Sequence, residues 1–238
     1  MFSPEPVFIC RRANLRTFRR FAHHIGMAGR KKKVPISAEL PLLSGHLEPL
    51  AKQVQDCRNC DLWKNATQAV FGEGASNAPI MLIGEQPGDQ EDLQGKPFVG
   101  PAGKLLRSAL VEAGVDIKRV YVTNAVKHFK WEPRGKRRIH KKPNAGEINA
   151  CRPWLEAEIA ALKPKVIVCL GATAAQSLLG RSFRVTQQRG ELLKSALAPR
   201  VMATVHPSAI LRAPDEASRH EQERLFVKDL KKLAAIRR

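Results

Sequence analysis

The chain has 238 residues, 43% of them hydrophobic, enough for one core of ordinary density in a domain of roughly 200 residues with some tail left over. No apolar run approaches the roughly 18 to 20 residues that a membrane span needs, and no charged start leads into a hydrophobic stretch with a small-residue cleavage site, so no membrane partner is expected and the protein reads as soluble and cytoplasmic. A formal net charge of +19 exceeds what solubility requires and attracts polyanions, nucleic acid first among them.

Residues 1–40 form a basic arm: nine Arg or Lys fall between Arg11 and Lys33, and Glu5 is the only acid before Glu39. Disorder is its expected state, with three readings open: a phosphate-binding tail, an Arg-rich targeting peptide, or a stretch ahead of a start at Met27. Residues 41–238 make the folded domain. In it, short β-branched apolar runs at 79–84, 119–124, 165–170 and 200–205 read as buried parallel strands. Between the first two, residues 103–114 carry Leu105, Leu106, Ala109, Leu110 and Ala113 at helical spacing. Residues 144–162 read as another helix, opened by Asn144 with Glu147 three positions on, in the manner of a capping box. Segments 172–179 and 215–236 complete the helices. This alternation predicts a three-layer α/β/α sandwich around a central four-stranded parallel sheet, with ligands gathering at the carboxyl ends of the strands. Those ends fall at 84–88, 124–128, Gly171 and 206–208. The most biased segment within the domain, 134–142, packs six cations into nine residues and reads as a charged loop.

Five cysteines, with no export signal, argue against a disulfide framework. Cys57 and Cys60 form a Cys-x-x-Cys pair, and Cys151 and Cys169 stand far downstream. Four thiolates can close a zinc site or an iron-sulfur cluster, and the loose second pair favours the cluster without excluding zinc. Cys10, in the basic arm, has no evident partner.

Four motifs give the reading its specificity. Gly84-Glu85-Gln86-Pro87-Gly88, Pro97-Phe98-Val99-Gly100-Pro101-Ala102-Gly103, Val122-Thr123-Asn124-Ala125-Val126-Lys127-His128 and Val205-His206-Pro207-Ser208 resemble, in order, the motifs of the uracil-DNA glycosylase superfamily. With the four cysteines the chain is similar to its iron-sulfur branch, over about residues 45–235. Gln86 and the inserted Arg137-Arg138-Ile139-His140 are similar to the UdgX group, known for excising uracil and remaining covalently joined to the DNA.

The resemblance implies a fold of the uracil-DNA glycosylase type, a 4Fe-4S cluster on Cys57, Cys60, Cys151 and Cys169, and uracil-containing DNA, preferably single-stranded, as the partner of a monomer associated with the nucleoid. A flipped pyrimidine would stack on Phe98, and Asn124 would pair with a uracil carbonyl and the adjacent ring N–H, a pattern that cytosine reverses. Gly84, Gly88 and Asp89 would complete the base pocket. Backbone N–H groups near Gln86 and Gly88 would stabilise the departing anion, and His206 would serve as cation or hydrogen-bond donor. Gln86 cannot act as a general base; Glu85 can, or it can orient or deprotonate His140. His140 is the expected nucleophile toward the sugar, kept neutral by the cations around it in sequence. Arg138 would hold the loop shut, while Lys136, Arg137 and Ser208 contact the DNA.

Overall fold

A computed structural model describes residues 47–236; the basic arm of residues 1–40, with Cys10, lies outside the described residues. In chain order the elements are α1 (Leu47–Gln53), β1 (Glu73–Gly74), β2 (Ile80–Gly84), α2 (Asp89–Gln94), α3 (Pro101–Glu112), β3 (Val120–Asn124), β4 (Trp131–Arg134) and β5 (Arg137–His140). There follow α4 (Ala145–Leu162), β6 (Val166–Leu170), α5 (Ala172–Leu179), α6 (Val185–Gln188), β7 (Arg200–Thr204), α7 (Pro207–Ile210) and α8 (Glu216–Ala234). No helix among the described residues is long and apolar enough to cross a membrane.

The main sheet runs β1-β3-β2-β6-β7, and the four apolar segments form its parallel core. It has five strands rather than the expected four, because β1 pairs antiparallel with β3 at the edge. Two residues carry no periodicity, so this strand leaves no pattern to read.

Successive side chains along each strand point to opposite faces, which divides the core in two. Ile80, Leu82, Val166, Val168 and Met202 pack with Leu106 and Leu110 of α3, Ile210 of α7 and Phe226 and Leu230 of α8. Met81, Ile83, Tyr121, Ile167, Cys169 and Ala203 pack with Leu155 and Ile159 of α4 and Ala174 of α5. Each fully buried aliphatic side chain of this kind stabilises the fold by about 1.5–3 kcal/mol relative to exposure. A smaller third cluster, under α1 and the first turns of α4, gathers Val54, Cys57, Phe71, Cys151 and Trp154.

Helix α4 starts as its sequence predicts. Asn144 Oδ1 accepts from Glu147 N at 2.9 Å, and Glu147 Oε2 accepts from Asn144 N at 2.7 Å. The expected charged loop at 134–142 is instead a two-stranded antiparallel hairpin, β4 with β5, turned by Gly135 at φ 57°. Trp131 faces His140 and Pro133 faces Arg138, so Arg138 and His140 share one face of the ribbon.

Candidate active site

The carboxyl ends of β2, β3, β6 and β7 open on a cavity of about 710 Å³ whose walls include Glu85, Phe98, Asn124, His140, Thr173 and His206. Asn124 is the last residue of β3, in register with Gly84. It is buried, and its side-chain amide makes no hydrogen bond to the described residues, so both donor and acceptor remain for a ligand. A Cβ on Gly84 would fall 2.3 Å from Asn124 Oδ1 and 2.8 Å from Phe98 Cζ, so glycine there lets amide and ring share the pocket floor. Phe98 adopts φ 56°, unusual for an aromatic residue. The conformation is held because Arg107 Nη1 donates to the Phe98 carbonyl at 2.8 Å and because Gly103, where a Cβ would lie 1.7 Å from that oxygen, leaves room for it.

His206 caps α7, and its Nδ1 accepts from Ser208 N at 3.1 Å and lies 2.7 Å from Ser208 Oγ. An accepting Nδ1 leaves the proton on Nε2. Burial pushes the His206 pKa down to about 4, with Arg212 and His140 adding to the effect. With Nδ1 facing Ser208 and its pKa held down by burial, His206 fits the neutral hydrogen-bond donor of the two expected roles. Ser208, which lines the cavity, meets His206 through both its N–H and its hydroxyl.

The hairpin is gripped by residues of the first motif. Gln86 Nε2 donates to the carbonyls of Lys130 at 3.2 Å and Lys141 at 3.1 Å, and its Oε1 accepts from Lys130 N at 3.2 Å, so one buried amide staples both feet of the ribbon. Arg138 Nε donates to Asp89 Oδ1 and Arg138 Nη1 to Asp92 Oδ2, each at 2.6 Å, and its guanidinium lies 5.5 Å from the ring centres of Phe129 and Trp131. Asp92 is fully buried and also accepts from Thr67. The side chains of Gln86 and Asp89 thus hold the hairpin; for Asp89, which does not line the cavity, this is a correction to the substrate-binding role read from sequence, while Gln86 lines the cavity. Gly88 N donates to Glu91 Oε2 at 3.1 Å within the cap of α2, so it is not available to an anion as expected. Lys136 and Arg137 are exposed at the hairpin tip, where phosphate can reach them.

This grip sets His140 Nε2 at 3.5 Å from Glu85 Oε1 on the cavity wall. The His140 pKa is lowered, first by burial and then by Arg212, against the opposing pull of Glu85. The neighbouring cations in sequence are not among the causes of this downward shift. The second oxygen of Glu85, Oε2, accepts a hydrogen bond from Thr173 Oγ1. Neither Thr173 nor Arg212 stood out in the sequence. Thr173 is marked only by its place, two residues after a strand-end glycine.

Three of the four predicted ligands share a pocket. Cys57 and Cys151 are buried in the third cluster with Cys60 packed against it. Lys127 N donates to Cys151 Sγ and Trp154 Nε1 to Cys57 Sγ, both at 3.1 Å. Burial raises the Cys151 thiol to about 12, with the other two cysteines adding to the shift. Cys169 is a correction: strand alternation turns it to the α4 and α5 face, beside Ile83 and Ala203, and burial alone raises its pKa. His128, missed as a candidate ligand, is buried one residue after the Lys127 N–H that meets Cys151. After burial, Arg58, between the two paired cysteines, is the main influence lowering its pKa to about 4. Among the described residues no three or more His, Cys, Asp or Glu side chains converge tightly enough to hold a single metal ion.

With this geometry in place, the comparisons with known proteins are specific. Residues 71–233 match the uracil DNA glycosylase superfamily. The chain is 36% identical over 184 residues to the type-4 uracil-DNA glycosylase of Archaeoglobus fulgidus, covering 74% of this chain and 89% of the relative. It is 38% identical over 177 residues to the type-4 uracil-DNA glycosylase of Sulfurisphaera tokodaii, covering 71% and 77%. Against the type-4 uracil-DNA glycosylase of Thermotoga maritima it is 36% identical over 187 residues, covering 78% and 92%.

Proposed function

The chain belongs to the uracil DNA glycosylase superfamily, and we propose that it releases uracil from DNA in a repair reaction and ends joined to the abasic deoxyribose through His140. The observation that carries this reading is the meeting of His140 and Glu85, 3.5 Å apart, on the wall of a pocket that Phe98 and Asn124 also line. A base taken from the stack enters that pocket, stacks on Phe98 and pairs with the unused amide of Asn124. Single-stranded DNA, which needs no unpairing, is the preferred substrate.

The bond between C1′ and uracil N1 breaks with its electron pair leaving on uracil. His206 Nε2–H donates to the departing anion, a preorganised contact whose value grows as charge develops. The lone pair of the unprotonated His140 ring nitrogen forms the new bond to C1′. The proton on the other ring nitrogen passes to Glu85 and onward, through solvent, to the uracil, so protons and charge balance. Imidazole outcompetes water because it is fixed in place, an advantage that reaches several kcal/mol for well-oriented groups.

An iron-sulfur cluster on Cys57, Cys60 and Cys151, with His128 as fourth ligand, is part of the same proposal. Three thiols in one apolar pocket, two of them accepting N–H hydrogen bonds, suit a cluster's thiolate ligands, and histidine ligands to such clusters are known. When bound, the cluster would tie the Cys-x-x-Cys segment to α4 and to the turn after β3.

The test is a denaturing gel of protein incubated with uracil-containing single-stranded DNA. A shifted band at one DNA per protein, absent with thymine DNA and replaced by free abasic DNA in His140→Ser, is the expected result. Free abasic DNA in molar excess over the wild-type protein would establish a turning-over hydrolase instead.

A further inference from the structure

One buried hydroxyl on the cavity wall has no part in the steps above. Thr173 is the second residue of α5, just past Gly171, where the chain leaves β6 at φ 90° close against His206. Its Oγ1 donates to Glu85 Oε2, while Glu85 Oε1 is the oxygen 3.5 Å from His140 Nε2. The Glu85 carboxylate is thus shared between two elements far apart in sequence, the start of α5 and the β4–β5 hairpin. A glutamate has three rotatable side-chain bonds, and this one is 22% exposed, so without a tether its carboxylate would turn toward water.

We infer that Thr173 is a positioning residue for the covalent step: its hydroxyl fixes one oxygen of Glu85 so that the other stays aimed at His140 and takes the imidazole proton as the bond to C1′ forms. The inference rests on His140 being the group that captures the sugar. It gives Glu85 one orientation, and so favours capture by imidazole over activation of water, which a swinging carboxylate would also serve. Arg212 lines the same cavity and lowers the His140 pKa.

The experiment compares the wild type, Thr173→Val and Thr173→Ser on uracil-containing single-stranded DNA. Linked DNA, free abasic DNA and free uracil are each measured over time at several pH values. Valine removes the hydroxyl at nearly constant shape. Loss of a hydrogen bond to a charged group is expected to lower the ratio of linked to free abasic DNA by about tenfold to a hundredfold, with uracil release slowing less. Serine restores the ratio and the wild-type pH profile of linking. The ratio is read only from molecules that have reacted, so a partly unfolded valine preparation does not alter it. A valine variant with ratio and pH profile unchanged overturns the role of Thr173 and leaves that of His140 standing. A wild type that forms no link overturns both.

Discussion

At the scale of single residues, the decisive feature is how burial sets proton positions. His206 would be ambiguous on residue type alone, since a histidine beside a departing anion can serve as cation or as neutral donor. The backbone N–H of Ser208 occupies Nδ1, and burial holds the folded pKa near 4 against an ordinary value of 6.5. Between those values the unfolded chain binds more protons than the folded one, so stability rises with pH across that window. The contribution is present in full above the ordinary value and is lost as pH falls toward about 4. The melting temperature of the wild type should therefore drop more between pH 7.5 and pH 5.5 than that of His206→Asn, which has nothing to titrate there. Calorimetry at the two pH values decides it, and equal drops would mean that His206 takes up its proton in the fold as readily as in the unfolded chain.

At the scale of elements, the hairpin is what separates this site from a plain base pocket. Its fixed points are the Gln86 staple at the feet and the Arg138 pair with Asp89 and Asp92 along β5. Arg138→Ala leaves the buried Asp92 carboxylate with Thr67 alone and should cost about 1–3 kcal/mol of stability, measured by urea unfolding. The same variant should lose linked DNA faster than it loses uracil release, because His140 rides on the ribbon while Phe98 and Asn124 do not. If both products fall in step, the ribbon is held by something other than Arg138. The sequence made the parallel core, α3, α4 and the position of Asn124 legible because each carries a period or a cap. It concealed the ribbon, because six cations hide the two-residue alternation of Arg138 and His140, and Pro133 argues against a strand except at an edge. Asp89 and Gly88 were legible as site residues but not in role, since a motif says where a residue stands and not what it touches. Cys169 misled for a related reason: on a strand buried on both faces, a cysteine shares its apolar surroundings with any core residue.

At the scale of the whole molecule, the cysteine pocket and the base pocket are two ends of one turn. Asn124 lines one, and Lys127 N donates to Cys151 in the other. Between them the Lys127 ammonium, fully buried, donates to the Asn124 carbonyl at 2.8 Å, to Thr123 Oγ1 at 2.8 Å and to Glu158, so all three of its donors are used. Glu158, on α4, also accepts from Tyr121 and Gly72 N. A charge pair buried this completely tolerates little movement, because displacing either partner leaves the other unpaired in the core. A shift of the turn at its cysteine end is therefore felt at Asn124, whose amide is proposed to pair with uracil. His128 lies on that turn, directly after Lys127, which makes it the position from which to test the coupling. His128→Ala should yield protein with less iron and weaker visible absorbance, and uracil release should fall with the iron because Asn124 loses its fixed backing. His128→Cys, which supplies a thiolate at the same place, should recover both. Full iron and full absorbance in the alanine variant would remove His128 from the ligand set. Iron loss with uracil release intact would instead show that the buried Lys127 and Glu158 pair holds the base pocket without help from the cluster.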